Sequence, residues 1–202
     1  MTRRWSLYLP LLLATVLFSC AEESIEPNSE GKLIGDYDFV SLSVDGTTVS
    51  ETIFPDETTK VVAEVIYHTK NNTGTYTFDG KKIIGMNVGY SVDTTLKAVY
   101  YVDGVKDDEF ELPFAATIPP LNSAGTYKLI GEDSLYFEGG FISPPSGGGA
   151  PMVSGPSGAR FVVTGNTLIL TAKFSTSTST TQMGITTRSI TNGSTTVRMK
   201  KR

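Results

Sequence analysis

The two side chains with the widest chemical reach, Cys20 and His68, each occur once in this 202-residue chain. A lone cysteine excludes a disulfide framework and a cysteine-rich zinc site. A lone histidine leaves no set for a histidine-based metal centre. His68 ends the run Val65-Ile66-Tyr67 with no nucleophile or orienting acid beside it, so it reads as a surface or structurally satisfied histidine. The acids Asp103, Asp107, Asp108, Glu109 and Glu111 are dense enough to attract calcium. Their spacing is not that of an EF-hand loop, and they read as solvated charge. Gly147 to Gly149 are followed by no Gly-Lys-Ser/Thr, which excludes a phosphate loop. The expectation is a non-enzymatic chain with no metal and no cofactor.

Tyrosine is the type that recurs. Tyr67, Tyr76, Tyr90, Tyr100, Tyr101, Tyr127 and Tyr136 all lie in the body of the chain. Turned inward, such rings supply apolar walls with polar tips, suited to a small amphipathic ligand. Turned outward, they offer stacking platforms for sugars, and between strands they simply pack. Met86, Tyr90, Tyr100 and Phe174 are the side chains expected to line a ligand pocket.

The elements that would position these residues begin with an address. Arg3 and Arg4 precede the apolar run Leu7 to Phe18, which is too short for a stop-transfer helix and has the flanks of a secretory signal. The ending Leu17-Phe18-Ser19-Cys20 resembles a bacterial lipoprotein box. That resemblance implies cleavage before Cys20, palmitate-type lipidation of its thiol and attachment to the outer membrane, facing the periplasm or the cell surface. The alternative is an ordinary signal peptide with an incidental thiol. The lipoprotein reading makes residues 1–19 the signal peptide and 20–31 a lipidated flexible tether. Glu22-Glu23 behind the cysteine resembles the surface-export signals of Bacteroidetes lipoproteins. Loss of Arg3 and Arg4 moves the net charge from −4 to −6, a poor balance for nucleic acid. The expected partners are the membrane, through the anchor, and a small hydrophobic ligand.

From residue 32 onward no sustained helical period appears. Alternation of period two recurs in Val40-Leu42-Val44, Ile84-Met86-Val88-Tyr90-Val92, Leu96-Ala98-Tyr100-Val102 and Leu168-Leu170-Ala172-Phe174. Val61 to His68 is more continuously apolar and reads as covered on both faces. Asp45-Gly46, Asp79-Gly80, Asp103-Gly104, Gly165-Asn166 and Asn192-Gly193 supply turn chemistry. Residues 139–158, with seven glycines and four prolines, predict one long loop. The predicted fold is all-β: an antiparallel barrel of about ten strands over residues 32–202, with a β-sandwich as the alternative.

The opening strand, Leu33-Ile34-Gly35-Asp36-Tyr37-Asp38-Phe39, resembles the first strand of lipocalin-like (calycin-type) domains, which begins Gly-x-Trp; Tyr37 stands at the Trp position. Gly165 to Thr171 and Gly131 to Phe137 resemble later hairpins of these domains. The resemblance implies a barrel closed at one end by Gly35, Tyr37 and a C-terminal base, Arg198 or Lys200, lying across the ring. It also implies binding of a small apolar or amphipathic molecule. The alternative is an interaction lipoprotein with a packed barrel that binds glycan or protein through its loops.

Overall fold

The structure, a computed structural model, describes residues 30–139 and 156–202. The expected signal peptide, Cys20, most of the tether and residues 140–155 of the Gly/Pro-rich segment lie outside them. One short helical turn, α1 (Glu30–Leu33), leads into nine strands. They are β1 (Gly35–Ile53), β2 (Thr58–His68), β3 (Lys70–Phe78), β4 (Lys82–Val102), β5 (Val105–Ile130), β6 (Ser134–Phe137), β7 (Ser157–Thr164), β8 (Thr167–Gln182) and β9 (Ile185–Lys201).

These strands form one antiparallel sheet that returns on itself as a near-closed ring, not two sheets. From β3 to β9 each strand pairs with the next, and β9 comes back to β1. The other side of β1 is shared by β3 and β2, which are one run bent at Thr69. At that corner the Thr69 N–H donates to Leu42 O at 2.9 Å, and Thr69 Oγ1 accepts from the Leu42 N–H at 2.8 Å. A buried bend thus keeps its backbone groups paired.

The ring closes only along half its height. Short β6 bridges Tyr127–Ile130 of β5 to β7, and β7 reaches only as far as Ala172 on β8. Beyond this closed end the sheet continues as six strands in the order β8-β9-β1-β2-β4-β5. There the outer edges of β5 and β8 have no strand partner among the described residues.

The closed end is filled. Tyr37 and Phe78 meet edge to face at 5.6 Å, Phe78 and Tyr127 at 5.6 Å, and Phe39 and Tyr76 at 6.0 Å. Leu135, Phe137, Leu168, Leu170, Val197 and Met199 complete a core with almost no exposure. Side chains of this size contribute about 1.5–3 kcal/mol each on burial, and edge-to-face contacts add to that.

Several expectations change, each for a local reason. Asp45-Gly46 and Asn192-Gly193 are not turns; Gly46 and Gly193 face each other in the middle of β1 and β9. The ring of Phe174 lies over them, and a Cβ on Gly193 would come within 2.7 Å of that ring and 2.6 Å of Asp45 O. The β8–β9 turn is instead Met183-Gly184, at φ 51° and 79°. In β4 the alternation slips by one residue. Asn87, at φ 51°, marks an irregularity between Gly85 and Val88, so Ile83 and Gly85 face inward before it and Val88, Tyr90 and Val92 after it. A register shift between Phe39 and Ser41 likewise turns Val40 outward and Phe39 inward. β2 is covered on one face only, since Ile66 is 48% exposed.

Candidate functional site

At the open end, the face of the sheet that continues the ring interior divides into two chemistries. Register places Val61, Val65, Leu96, Tyr100, Phe110 and Phe114 on that face across β2, β4 and β5. All six are only half-buried, so an apolar surface is left partly uncovered. Across β1, β9 and β8 the same face carries hydroxyls instead. Thr48 and Thr191 pair at 3.0 Å, and Ser50 and Ser189 at 3.2 Å.

Where this face descends into the ring lies a group of buried hydroxyls. Tyr67, Tyr90 and Thr195 are 2%, 4% and 2% exposed, and their hydroxyl oxygens have no hydrogen-bond partner among the described residues. Thr195 and Tyr67 flank Val44 in one register row. Phe114 lies 6.2 Å from the Tyr67 ring and Phe39 6.1 Å from the Tyr90 ring. Burial pushes the Tyr90 phenol up to about 12. It holds Tyr67 and Tyr76 well above the ordinary tyrosine value too, with the neighbouring Tyr90 adding to the effect. These phenols are therefore neutral donors at physiological pH. A buried hydroxyl without a partner costs about 1–3 kcal/mol, so this floor favours anything that brings a hydrogen-bond acceptor to it.

The expected pocket residues scatter. Tyr90 lies on this floor, while Tyr100 and Phe174 lie half-buried on the inner face above it. Met86 is 45% exposed, carried outward by the slip at Asn87, and does not line the interior. Tyr67 and Thr195, absent from the expected set, join Tyr90. Tyr67 is one of seven candidate tyrosines but lies in a run read as two-faced, and Thr195 sits among many threonines, so the sequence places neither in the pocket.

The closed end also corrects one residue. Lys201, not Arg198 or Lys200, lies across Tyr37, with its Nζ 5.9 Å from the ring centroid and donating to Ile34 O at 3.1 Å. Val197 and Met199 point inward, so parity turns Arg198 and Lys200 outward and brings Lys201 opposite Tyr37. The Tyr37 hydroxyl donates to Leu33 O at 3.0 Å, tying α1 to the sheet. Gly35, at φ 140°, leaves room for the lysine stem, which would stand 3.0 Å from a Cβ there.

On the outer face, Ser43, Asp45, Ile66, His68 and Ser194 border an open groove of about 290 Å³. Among the described residues no hydrogen bond joins His68 to Ser43 or Asp45, so the three are not arranged as a triad. Comparison with protein-family models, curated proteins and solved structures gave no match to this chain.

Proposed function

We propose that this chain is a lipid-anchored cell-envelope protein of lipocalin-like type that holds a small amphipathic molecule at the open end of its barrel. The observation that carries this reading is the set of buried hydroxyls of Tyr67, Tyr90 and Thr195, without a hydrogen-bond partner among the described residues, at the base of a half-exposed apolar face. The acceptor group of the ligand meets the hydroxyls, and its apolar part lies along β2, β4 and β5. Because aromatic side chains fill the closed end, the ligand does not run the length of the interior. Cys20 supplies the anchor, and the acidic tether sets the domain off the outer membrane.

The test is the binding of a dansyl-labelled fatty acid to the wild-type chain and to a Tyr67→Phe/Tyr90→Phe variant. Loss of two donors is expected to weaken binding by about tenfold or more. No binding to the wild type, together with no small molecule in native mass spectra of the extracted protein, would sink ligand carriage. The anchor has a separate test, because Cys20→Ala should move the protein out of the membrane fraction.

The filled closed end supports a second reading, an interaction lipoprotein whose barrel is a rigid stand for the six long strands. In that case the fatty acid does not bind, and a macromolecular partner is held by the extended sheet.

A further inference from the structure

The two edges of the six-stranded extension that lack a strand partner among the described residues are chemically opposite. Along β5 the edge carries Lys106, Asp107, Asp108, Glu109 and Glu111, followed by Pro113, Pro119 and Pro120. Charge and proline are the usual protection of a strand edge against pairing. Along β8 the stretch Phe174 to Gln182 reads Phe-Ser-Thr-Ser-Thr-Ser-Thr-Thr-Gln, with no charge and no proline. Its residues from Ser175 onward are exposed, and one side of its backbone has no strand partner among the described residues.

We propose that the β8 edge from Phe174 to Gln182 pairs antiparallel with the same edge of a second copy of this chain. A two-fold axis requires an isologous, self-complementary patch, and the Ser-Thr repeat is close to one. Centred on Thr178, the pairing sets Thr176 against Thr180 and Ser177 against Ser179, with Thr178 facing its own counterpart. No like charges meet. The chain already uses this chemistry between its own strands, in Thr48–Thr191 at 3.0 Å, Ser50–Ser189 at 3.2 Å and Thr181–Thr186 at 2.9 Å. Pairing satisfies the free backbone groups and carries the hydroxyl rows of β1, β9 and β8 across both copies. The inference is independent of the ligand reading, since it uses the edge and not the tyrosine floor.

Sedimentation of the detergent-solubilised full chain across a concentration series tests it. The wild type is expected to form a concentration-dependent dimer. Ser177→Lys/Ser179→Lys brings lysines into opposition and should leave only monomer with an unchanged circular dichroism spectrum. Glu111→Lys, on the β5 edge, should still dimerise. If the double lysine variant does not fold, Thr178→Cys in a Cys20→Ala background gives a second readout: a short bismaleimide should link two copies through residue 178. A monomeric wild type, a dimer that survives the lysines, one lost equally in Glu111→Lys, or no link through residue 178 would overturn the proposal.

Discussion

The two ends of this sheet share five strands, β1, β4, β5, β8 and β9, yet do opposite things. At the closed end, β1, β3, β4 and β5 meet β6 to β9 around rings and aliphatic chains with almost no exposure. At the open end, β8, β9, β1, β2, β4 and β5 run on without closure, and their inner face stays half-exposed. Strand pairing alone therefore does not make a core. Enclosure does, because it removes apolar surface from water on every side. Between the two ends, the hydroxyls of Tyr67, Tyr90 and Thr195 are buried without, among the described residues, the hydrogen bonds burial normally brings.

The largest expected effect is at the closed end. Phe78→Ala removes a ring packed on Tyr37 and Tyr127 and should cost about 3–5 kcal/mol in urea unfolding. Phe110→Ala, half-buried at the open end, should cost less than about 1 kcal/mol. Equal costs would erase the distinction.

Next comes Gly193→Val, which presses a side chain against Asp45 O and the Phe174 ring. Backbone on one side cannot yield as the ring can, so the loss should be roughly 1–3 kcal/mol. Adding Phe174→Ala should recover only part of it. Full recovery would mean that the ring, not the β1–β9 backbone approach, sets the constraint.

Alkaline titration addresses the boundary between the ends. The phenols of Tyr67, Tyr76 and Tyr90 are raised in the folded chain. Unfolded tyrosine ionises near pH 10, so above that pH the unfolded state gives up protons that the folded state keeps. Stability should be unaffected by these groups below about pH 10 and fall through the Tyr90 value of about 12. Unfolding of Tyr67→Phe followed against pH should show a shallower decline; an unchanged slope would remove Tyr67 from the boundary.

The smallest effect separates the two C-terminal bases. Lys201→Met should cost about 0.5–1 kcal/mol through loss of the contact over Tyr37. Arg198→Met, on the outer surface, should change the melting temperature very little. A reversed order would return closure to Arg198.

Legibility in the sequence followed the range of the interactions involved. Leu168, Leu170 and Ala172 alternate without interruption, and the buried face of β8 could be read directly from them. Asp79-Gly80, Asp103-Gly104 and Gly165-Asn166 do connect adjacent strands, because a turn is a property of a few consecutive residues. Gly46 and Gly193 look the same locally, but their role is set by each other and by Phe174. The slip at Asn87 was illegible for a similar reason. It depends on how β3 and β5 pair on either side, and Met86 changed face with it.

What the sequence determined by itself was the period of two, and with it an all-β chain whose apolar and polar residues take opposite faces. Tertiary structure alone decided which end closes, that Lys201 rather than Arg198 lies over Tyr37, and that Tyr67, Tyr90 and Thr195 are buried. Each of these rests on register between strands far apart in the chain, such as β1 and β9, where Thr48 and Thr191 lie 143 positions apart. A one-residue shift in such pairing exchanges the two faces, and no local pattern specifies it.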